Sequence, residues 1–205
     1  VISVNPVQTG YAAISDDWYG VTPGTDGLLI LSLVRELMQA GKIDIDYLVR
    51  YTNAPWLVIR NPGAANDGLF LRDDDGTPQL IDRATGKLAP HSDAAVKPAL
   101  HGEVKVKGGG VAVPAFMLMA DAYLTDDYAP ETVGPQVGIS AARIRRLAAD
   151  LAEAAFASEV VIDQPWTDWK EEKHDKMIGR PVSMHAMRGI SAHSNGFQTC
   201  RALHM

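Results

Sequence analysis

Three short tracts carry the residue types that could bind or transform a ligand. The first is Val21-Thr22-Pro23-Gly24-Thr25-Asp26. A β-prone run from Trp18 ends there in a Pro-Gly turn, Thr25 stands where an N-cap belongs, and Asp26 falls in the first helical turn, where the dipole favours a carboxylate. The second is Asn5-Pro6-Val7-Gln8-Thr9-Gly10, which leaves the end of the β-branched run Val1-Ile2-Ser3-Val4. Pro6 forces Asn5 out of helical geometry, so the side chains of Asn5, Gln8 and Thr9 are presented at a strand tip. The third is Val182 to Gly196, dense in small and hydrogen-bonding residues and holding His185 and His193. Strand, tight turn and capped helix is how open α/β sheets build a ligand crevice at the carboxyl ends of their strands. On these six residues alone an ordinary βα loop with a good cap is the simpler reading, and the other tracts weigh against it. Both strand-end loops are expected at one edge of one sheet, and the neighbouring Asp17 is given no ligand role.

Other chemistries find no support in the spacing. His185 and His193 lack a third metal ligand at sensible distance along the chain, and no HxxxH or cysteine pair supplies one. Gly-x-Ser-x-Gly, Gly-x-Gly-x-x-Gly and Walker patterns do not occur, and Gly108-Gly109-Gly110 reads as a flexible turn. Asp73-Asp74-Asp75-Gly76 lacks the ligand spacing and terminal glutamate of a calcium loop and reads as hairpin-turn chemistry. Cys200, inside a helical pattern, is expected to be a small buried thiol that coordinates nothing.

The elements that must position these tracts follow from periodicity. Leu28, Leu29, Leu31, Leu33, Val34, Leu37 and Met38 are spaced for a largely buried helix that stops at Gly41. Tyr11 to Ser15 can make a short helical turn. Asp44 is a candidate cap for a two-turn helix, and Trp56-Leu57-Val58-Ile59 reads as a strand. Residues 60 to 113 are broken by Gly, Pro and Asp clusters into strand-like pieces, which predicts a surface excursion of hairpins and loops. Pro114 opens a helix, residues 124 to 137 read as an acidic loop, and Ser140 caps the clearest amphipathic helix, with Ile144, Leu147, Ala148, Leu151 and Ala155 inward. Val160-Val161-Ile162 reads as a buried strand, Trp166 and Trp169 as packing or pocket-lining residues, and a last helix runs from Phe197. The order strand, helix, strand, helix predicts an α/β fold that is Rossmann-like, a mainly parallel sheet flanked by helices, with 60–113 as a hairpin and loop insertion.

At 205 residues, 46% hydrophobic and 21% charged, the chain has the composition of a globular domain with a real core. Nineteen basic against 25 acidic residues give a net charge of −6, with neither sign concentrated enough for a nucleic-acid groove. No run reaches the roughly 18 apolar residues of a membrane span. One cysteine rules out an internal disulfide and a cluster held by four thiolates of this chain. The absence of an initiator Met and the helical pattern at Arg201-Ala202-Leu203-His204-Met205 suggest a piece of a longer protein, placed in the cytoplasm by default.

Taken in order, several of these tracts carry a resemblance. They are Asn5-Pro6, the Asp17-Trp18 approach, Pro23-Gly24-Thr25-Asp26 with its Leu-rich helix, Gly41-Lys42-Ile43-Asp44-Ile45-Asp46-Tyr47-Leu48, and Gly138-Ile139-Ser140-Ala141-Ala142-Arg143-Ile144. The chain resembles the catalytic subunits of the molybdopterin oxidoreductase (dimethyl-sulfoxide reductase) superfamily. Its closing Arg188-Gly189-x-Ser191-Ala192-His193-Ser194-Asn195-Gly196 is most similar to the branch acting on sulfite, thiosulfate and polysulfide. The likeness covers nearly all of the chain apart from 60–113.

The resemblance implies a molybdenum or tungsten oxidoreductase using bis-molybdopterin guanine dinucleotide and acting on a small inorganic sulfur compound. By family position Asn5, Pro6, Val7, Gln8 and Thr9 contact the nucleotide, and Gly24, Thr25 and Asp26 follow, with Asp26 reading guanine. An ionised carboxylate offers two acceptors to guanine's two adjacent N–H donors, a charge-assisted match. Met187, Arg188, Gly189, Ser191, His193 and Asn195 would lie near the pterin. The resemblance further implies an iron–sulfur cluster in a preceding part of the protein. It implies as partners a membrane-anchor subunit with an iron–sulfur electron-transfer subunit, and no nucleic acid. The family's cluster cysteines and protein ligand to the metal are absent here, so this segment alone is not expected to turn over. Where many members carry Asp-Pro-Arg, this chain has Asn5-Pro6-Val7. The rival reading is a non-catalytic nucleotide-binding or interaction module that uses the 60–113 hairpins as its contact surface.

Overall fold

The computed structural model describes residues 1–168 and 171–205, with backbone alone at Tyr11. Of the two tryptophans in the Pro-Trp-Thr-Asp-Trp run, Trp169 lies outside the described residues. In chain order the elements are β1 (Ile2–Val4), β2 (Asp17–Tyr19), α1 (Asp26–Gln39), α2 (Ile45–Tyr51), β3 (Leu57–Arg60), β4 (Gln79–Ile81), β5 (Leu88–Pro90), β6 (Val104–Lys105) and β7 (Val111–Pro114). Then come α3 (Ala115–Tyr123), α4 (Pro130–Val137), α5 (Ala141–Phe156), β8 (Val160–Ile162), β9 (Trp166–Thr167), β10 (Lys173–His174), β11 (Met177–Gly179) and α6 (Gly196–Leu203). Short 3₁₀ turns occupy Gly10–Ile14, Asp126–Tyr128 and Arg188–Ser191. The chain divides into two compact units, Val1–Lys42 with Tyr123–Met205, and Ile43–Ala122.

In the first unit, α1 ends as its sequence dictates. Gly41 takes φ +66°, its N–H donates to Met38 O (3.0 Å) and that of Lys42 to Leu37 O (2.9 Å), a Schellman closure that a residue with a Cβ would strain. Its start differs from expectation. Thr25 is the N-cap residue, but its hydroxyl donates to Thr22 O at 2.7 Å instead of accepting from the helix. The cap backbone, at φ −108° and ψ 9°, lies outside the extended region from which a cap side chain reaches the first turn. Leu29 and Leu33 of α1 join Tyr19, Val21, Val133, Val137, Ile139, Ile144 and Leu147 in one buried cluster.

The stretch read as an acidic loop contributes to that core. Pro130 starts α4 at a position where a missing N–H costs nothing, and Gly138, at φ +75°, ends it in the left-handed region. Gly134 and Pro135 inside it are helix-breaking signals, overridden because Val133 and Val137 are fully buried. Ser140 Oγ accepts from the Arg143 N–H at 3.4 Å and caps α5 as expected.

β1 and β2 pair in parallel with Ile2 opposite Asp17 and Val4 opposite Tyr19. They are the only parallel pair among the described residues; the other sheets are antiparallel. Val160–Ile162 is a strand, but not a buried or parallel one. It pairs antiparallel with Met177–Gly179, and its side chains are 44–53% exposed. Three apolar residues in a row specify a strand; burial also needs an element over the face, and none covers β8 among the described residues.

The second unit builds the antiparallel sheet β3–β7–β6 and the hairpin β4–β5. The segment read as a surface excursion contributes Ile81, Ala99 and Ala112 to a small core with Leu57 and Ile59 of β3. Asp73 Oδ1 accepts from the amides of Asp75 and Thr77, the expected turn chemistry. Asp44 caps α2 through the Tyr47 N–H at 3.0 Å. No helix among the described residues is long and apolar enough to cross a membrane.

Candidate functional site

Parallel pairing of β1 with β2 sends both chains out at the same carboxyl edge. The ladder runs one step further, with the Asn5 N–H donating to Tyr19 O at 3.1 Å, so the two strand-end loops begin side by side. Within the first loop, Asn5 Oδ1 accepts from the Val7 N–H at 3.1 Å, and Asn5 O accepts from Trp18 Nε1 at 2.9 Å. Both bonds lock the turn at Pro6. Asn5 to Thr9 are all exposed.

In the second loop, Gly24 has φ +81°, which suits only glycine, and a Cβ there would stand 4.0 Å from His193 Nδ1. Asn195 Nδ2 donates to Gly24 O at 3.1 Å. The third tract thus meets the second although 171 residues separate the bonded pair. The contact exists because α6 packs along α1: Gly27 lies so close to Thr199 that a Cβ would meet Thr199 Oγ1 at 3.1 Å. The starts of α1 and α6 are thereby brought together, and with them the amides of their first turns, which no helix satisfies internally. Asp26 sits half-buried at this junction, and no hydrogen bond or ion pair to its carboxylate occurs among the described residues.

Not every expected residue converges. Met187, Arg188 and Gly189 make no hydrogen bond to either strand-end loop among the described residues. Arg188 O accepts from Ser191 Oγ at 2.9 Å within the 3₁₀ turn, and Met187 Sδ lies 3.2 Å from His185 Nε2. Met187, Arg188, Ser191 and His193 are exposed. With α6 this tract lines a cavity of about 400 Å³ bordered by Met184, Met187, Arg188, Ser191, Cys200 and His204. Cys200 is therefore half-buried at a cavity wall; the inward positions of α6 are Gly196, Thr199 and Ala202. The helix turns Thr199 and Ala202 toward α1, which leaves Cys200 at its flank.

One cluster has no signal in the spacing. Arg143 of α5 donates to Asp17 Oδ1 and to Trp18 O, both at 2.8 Å, and its guanidinium lies 4.2 Å from the Tyr19 ring centre. Burial raises the Asp17 pKa, but the Trp18 amide and Arg143 together outweigh it and hold the carboxyl below its ordinary value. Burial raises the Tyr19 hydroxyl, and the Asp17 charge adds to the shift. Asp17 thus ties β2 to α5, and its partner lies 126 residues on. The cluster fixes the strand from which the Gly24 loop departs.

No protein-family model matches the chain. It is similar to a subunit of the sulfite dehydrogenase of Allochromatium vinosum, 41% identical over 212 residues that take in 98% of this chain and 22% of that protein. It is 32% identical over 157 residues to the alpha subunit of the chlorate reductase of Ideonella dechloratans, covering 68% of this chain and 16% of that protein. A putative dimethyl sulfoxide reductase catalytic subunit of Halobacterium salinarum is 29% identical over 164 residues, 74% of this chain and 18% of that protein. The chain spans about a fifth of the length of these relatives.

Proposed function

The chain belongs to the molybdopterin oxidoreductase superfamily, and from that premise we propose that it is a segment of a catalytic subunit whose substrate is an inorganic sulfur compound such as sulfite, thiosulfate or polysulfide. In this reading the loops Asn5–Thr9 and Gly24–Asp26 hold the guanosine end of bis-molybdopterin guanine dinucleotide, and the tract from Met187 to Asn195 flanks the pterin. The observation that carries it is the junction at Gly24. Two helix starts, a glycine with no Cβ and a carboxylate with no protein partner among the described residues meet on a loop whose strand pairs in parallel with the one that delivers the other strand-end loop. That donor set fits the group. Amides of helix starts suit its phosphates, and the Asp26 carboxylate suits the paired N–H donors of guanine.

When bound, the cofactor supplies the two-electron or oxygen-atom transfer; the residues here bind and orient it. Gly24 permits close approach of the backbone, and Asn195 holds the Gly24 carbonyl so that the loop presents one shape. The proposal extends to the fold of the longer protein. β1 and β2 would be part of a larger parallel, Rossmann-like sheet, a reading supported by Ile2 (39%) and Val4 (45%), apolar side chains left open in this chain. A cytoplasmic setting, a membrane anchor, an iron–sulfur cluster in a preceding segment and a separate electron-transfer protein complete the proposal. Likeness to a protein named as one of an enzyme's subunits supports the partners.

The test is Asp26→Asn in the longer protein. The amide turns one acceptor into a donor facing guanine's own donors and removes the charge. Losing a charged hydrogen bond and stranding a buried donor costs about 2–4 kcal/mol, roughly a 30- to 1,000-fold loss of affinity. Reduced molybdenum or tungsten and guanine-nucleotide content is expected, with the fold intact. Glu153→Gln, an exposed acid of α5, is the control; Asp17 does not serve, because it is bonded to Arg143. Equal cofactor content in both variants and the parent would make Asp26 a mere helix-start residue. Turnover of sulfite, thiosulfate and polysulfide by the longer protein tests the substrate class, and absence of all three activities would remove it.

A further inference from the structure

We infer that Asp168, Glu172 and His174, around the hairpin β9–β10, form a site for a divalent transition cation of the zinc type. One ligand atom from each residue lies within 4.8 Å of the other two. His174 Nε2 and Asp168 Oδ2 are 3.2 Å apart. Two ligands on zinc, at bond lengths of about 2.0–2.2 Å and a tetrahedral angle, sit roughly 3.3–3.6 Å apart, so the 3.2 Å hydrogen-bonding distance of this pair is just short of the spacing of two ligands on one ion. Glu172 is exposed and closes the remaining distance by side-chain rotation.

The surroundings hold the first two ligands in place. Asp168 Oδ1 accepts from the Glu172 N–H at 3.0 Å, which aims Oδ2 at the imidazole. The His174 ring stacks on Trp166 with centres 4.8 Å apart and planes 21° apart, and Trp166 Nε1 donates to Lys176 O at 3.1 Å. Ligands anchored by such outer contacts are what metal sites require. The Asp168 side chain is only 10% exposed while His174 is 37% exposed, so the site has a closed wall and an open entry. One imidazole nitrogen with two carboxylate oxygens suits zinc, cobalt or nickel; calcium and magnesium prefer oxygen alone.

The hairpin itself is short. Its strands are two residues each, and the adjoining β8 exposes all three of its apolar side chains. A ribbon that short is marginal in water, and a cation bridging Asp168 to His174 would tie its strands together. The inference is independent of the cofactor reading, because none of the three residues belongs to the strand-end loops.

The experiment is metal titration of the full chain after dialysis against chelator, with zinc followed by calorimetry and cobalt(II) by its visible absorption. One saturable site at micromolar free zinc is expected, with an intense cobalt band and no comparable response to calcium or magnesium. His174→Ala and Glu172→Gln should each weaken zinc binding by about tenfold or more, and His101→Ala should leave it unchanged. Should His174→Ala fail to fold by circular dichroism, Glu172→Gln carries the comparison alone. Lack of saturable zinc binding, equal binding of calcium, or binding untouched by the folded variants overturns the site.

Discussion

Glu131 meets Arg145 through two parallel bonds of 2.6 and 2.7 Å, and Arg145 Nε reaches Glu36 Oε2 at 3.3 Å. The Arg145 fork holds the Glu131 pKa down to about 2 from an ordinary 4.5. A carboxyl depressed on folding stabilises the native state fully above its unfolded pKa, and that contribution is lost as pH falls through the folded one. Thermal midpoints are therefore expected to drop between pH 4.5 and 2 by more in the parent chain than in Glu131→Gln. Identical pH profiles would show that the bidentate pair is too solvated to matter. Arg35 is held by residues distant along the chain. It is buried against Glu36 Oε1 (2.9 Å), Thr125 O (2.9 Å) and Asp126 Oδ1 (3.3 Å). Nothing in the spacing of α1 marks it, because two of its partners lie about 90 residues further on.

Among elements, the approach of α6 to the tract before it depends on one hydrogen atom. A Cβ on Gly196 would stand 2.1 Å from Ser191 O, inside any allowed contact and against backbone that cannot swing aside. Gly196→Ala should shift the 3₁₀ turn at Arg188–Ser191, weaken the Asn195–Gly24 bond and destabilise the first unit by about 1–3 kcal/mol. Gly189→Ala, with nothing within 4 Å of the added carbon, should stay within about 0.5 kcal/mol of neutral. Denaturant midpoints distinguish the two, and limited proteolysis between Met184 and Asn195 reports the local shift. Equal midpoints would mean that α6 moves freely against the tract.

For the whole molecule, β8 and β11 raise the question of what covers them. Val161 and Ile178 face each other in register and are each 53% exposed. An element of the longer protein laid over this ribbon would bury both side chains. Val161→Thr and Ile178→Thr should be near neutral, within about 0.5 kcal/mol, in the 205-residue chain. In the longer protein they should cost roughly 1–3 kcal/mol, the penalty of burying a hydroxyl without a partner. Equal effects in the two contexts would show that the rest of the polypeptide leaves this ribbon bare.

Sequence alone determined what depends on neighbours along the chain. The Gly41 closure, the Ser140 and Asp44 caps, the Asp73 turn and the helices α1 and α5 all follow from contacts within a few residues. The order of strand-end tracts was likewise enough to identify the family and to expect two polar loops at one sheet edge. Tertiary structure decided the rest. α4 forms across Gly134 and Pro135 because burying Val133 and Val137 outweighs local propensity. Asp17 is an anchor and not a bystander because α5 brings Arg143 to it. Val160–Ile162 is a strand by composition, but a strand's burial is a property of what packs on it. The Asp168, Glu172 and His174 cluster exists only once a hairpin folds these residues together. Their spacing along the chain carries no metal signature, because it is the pairing of β9 with β10 that sets their distances.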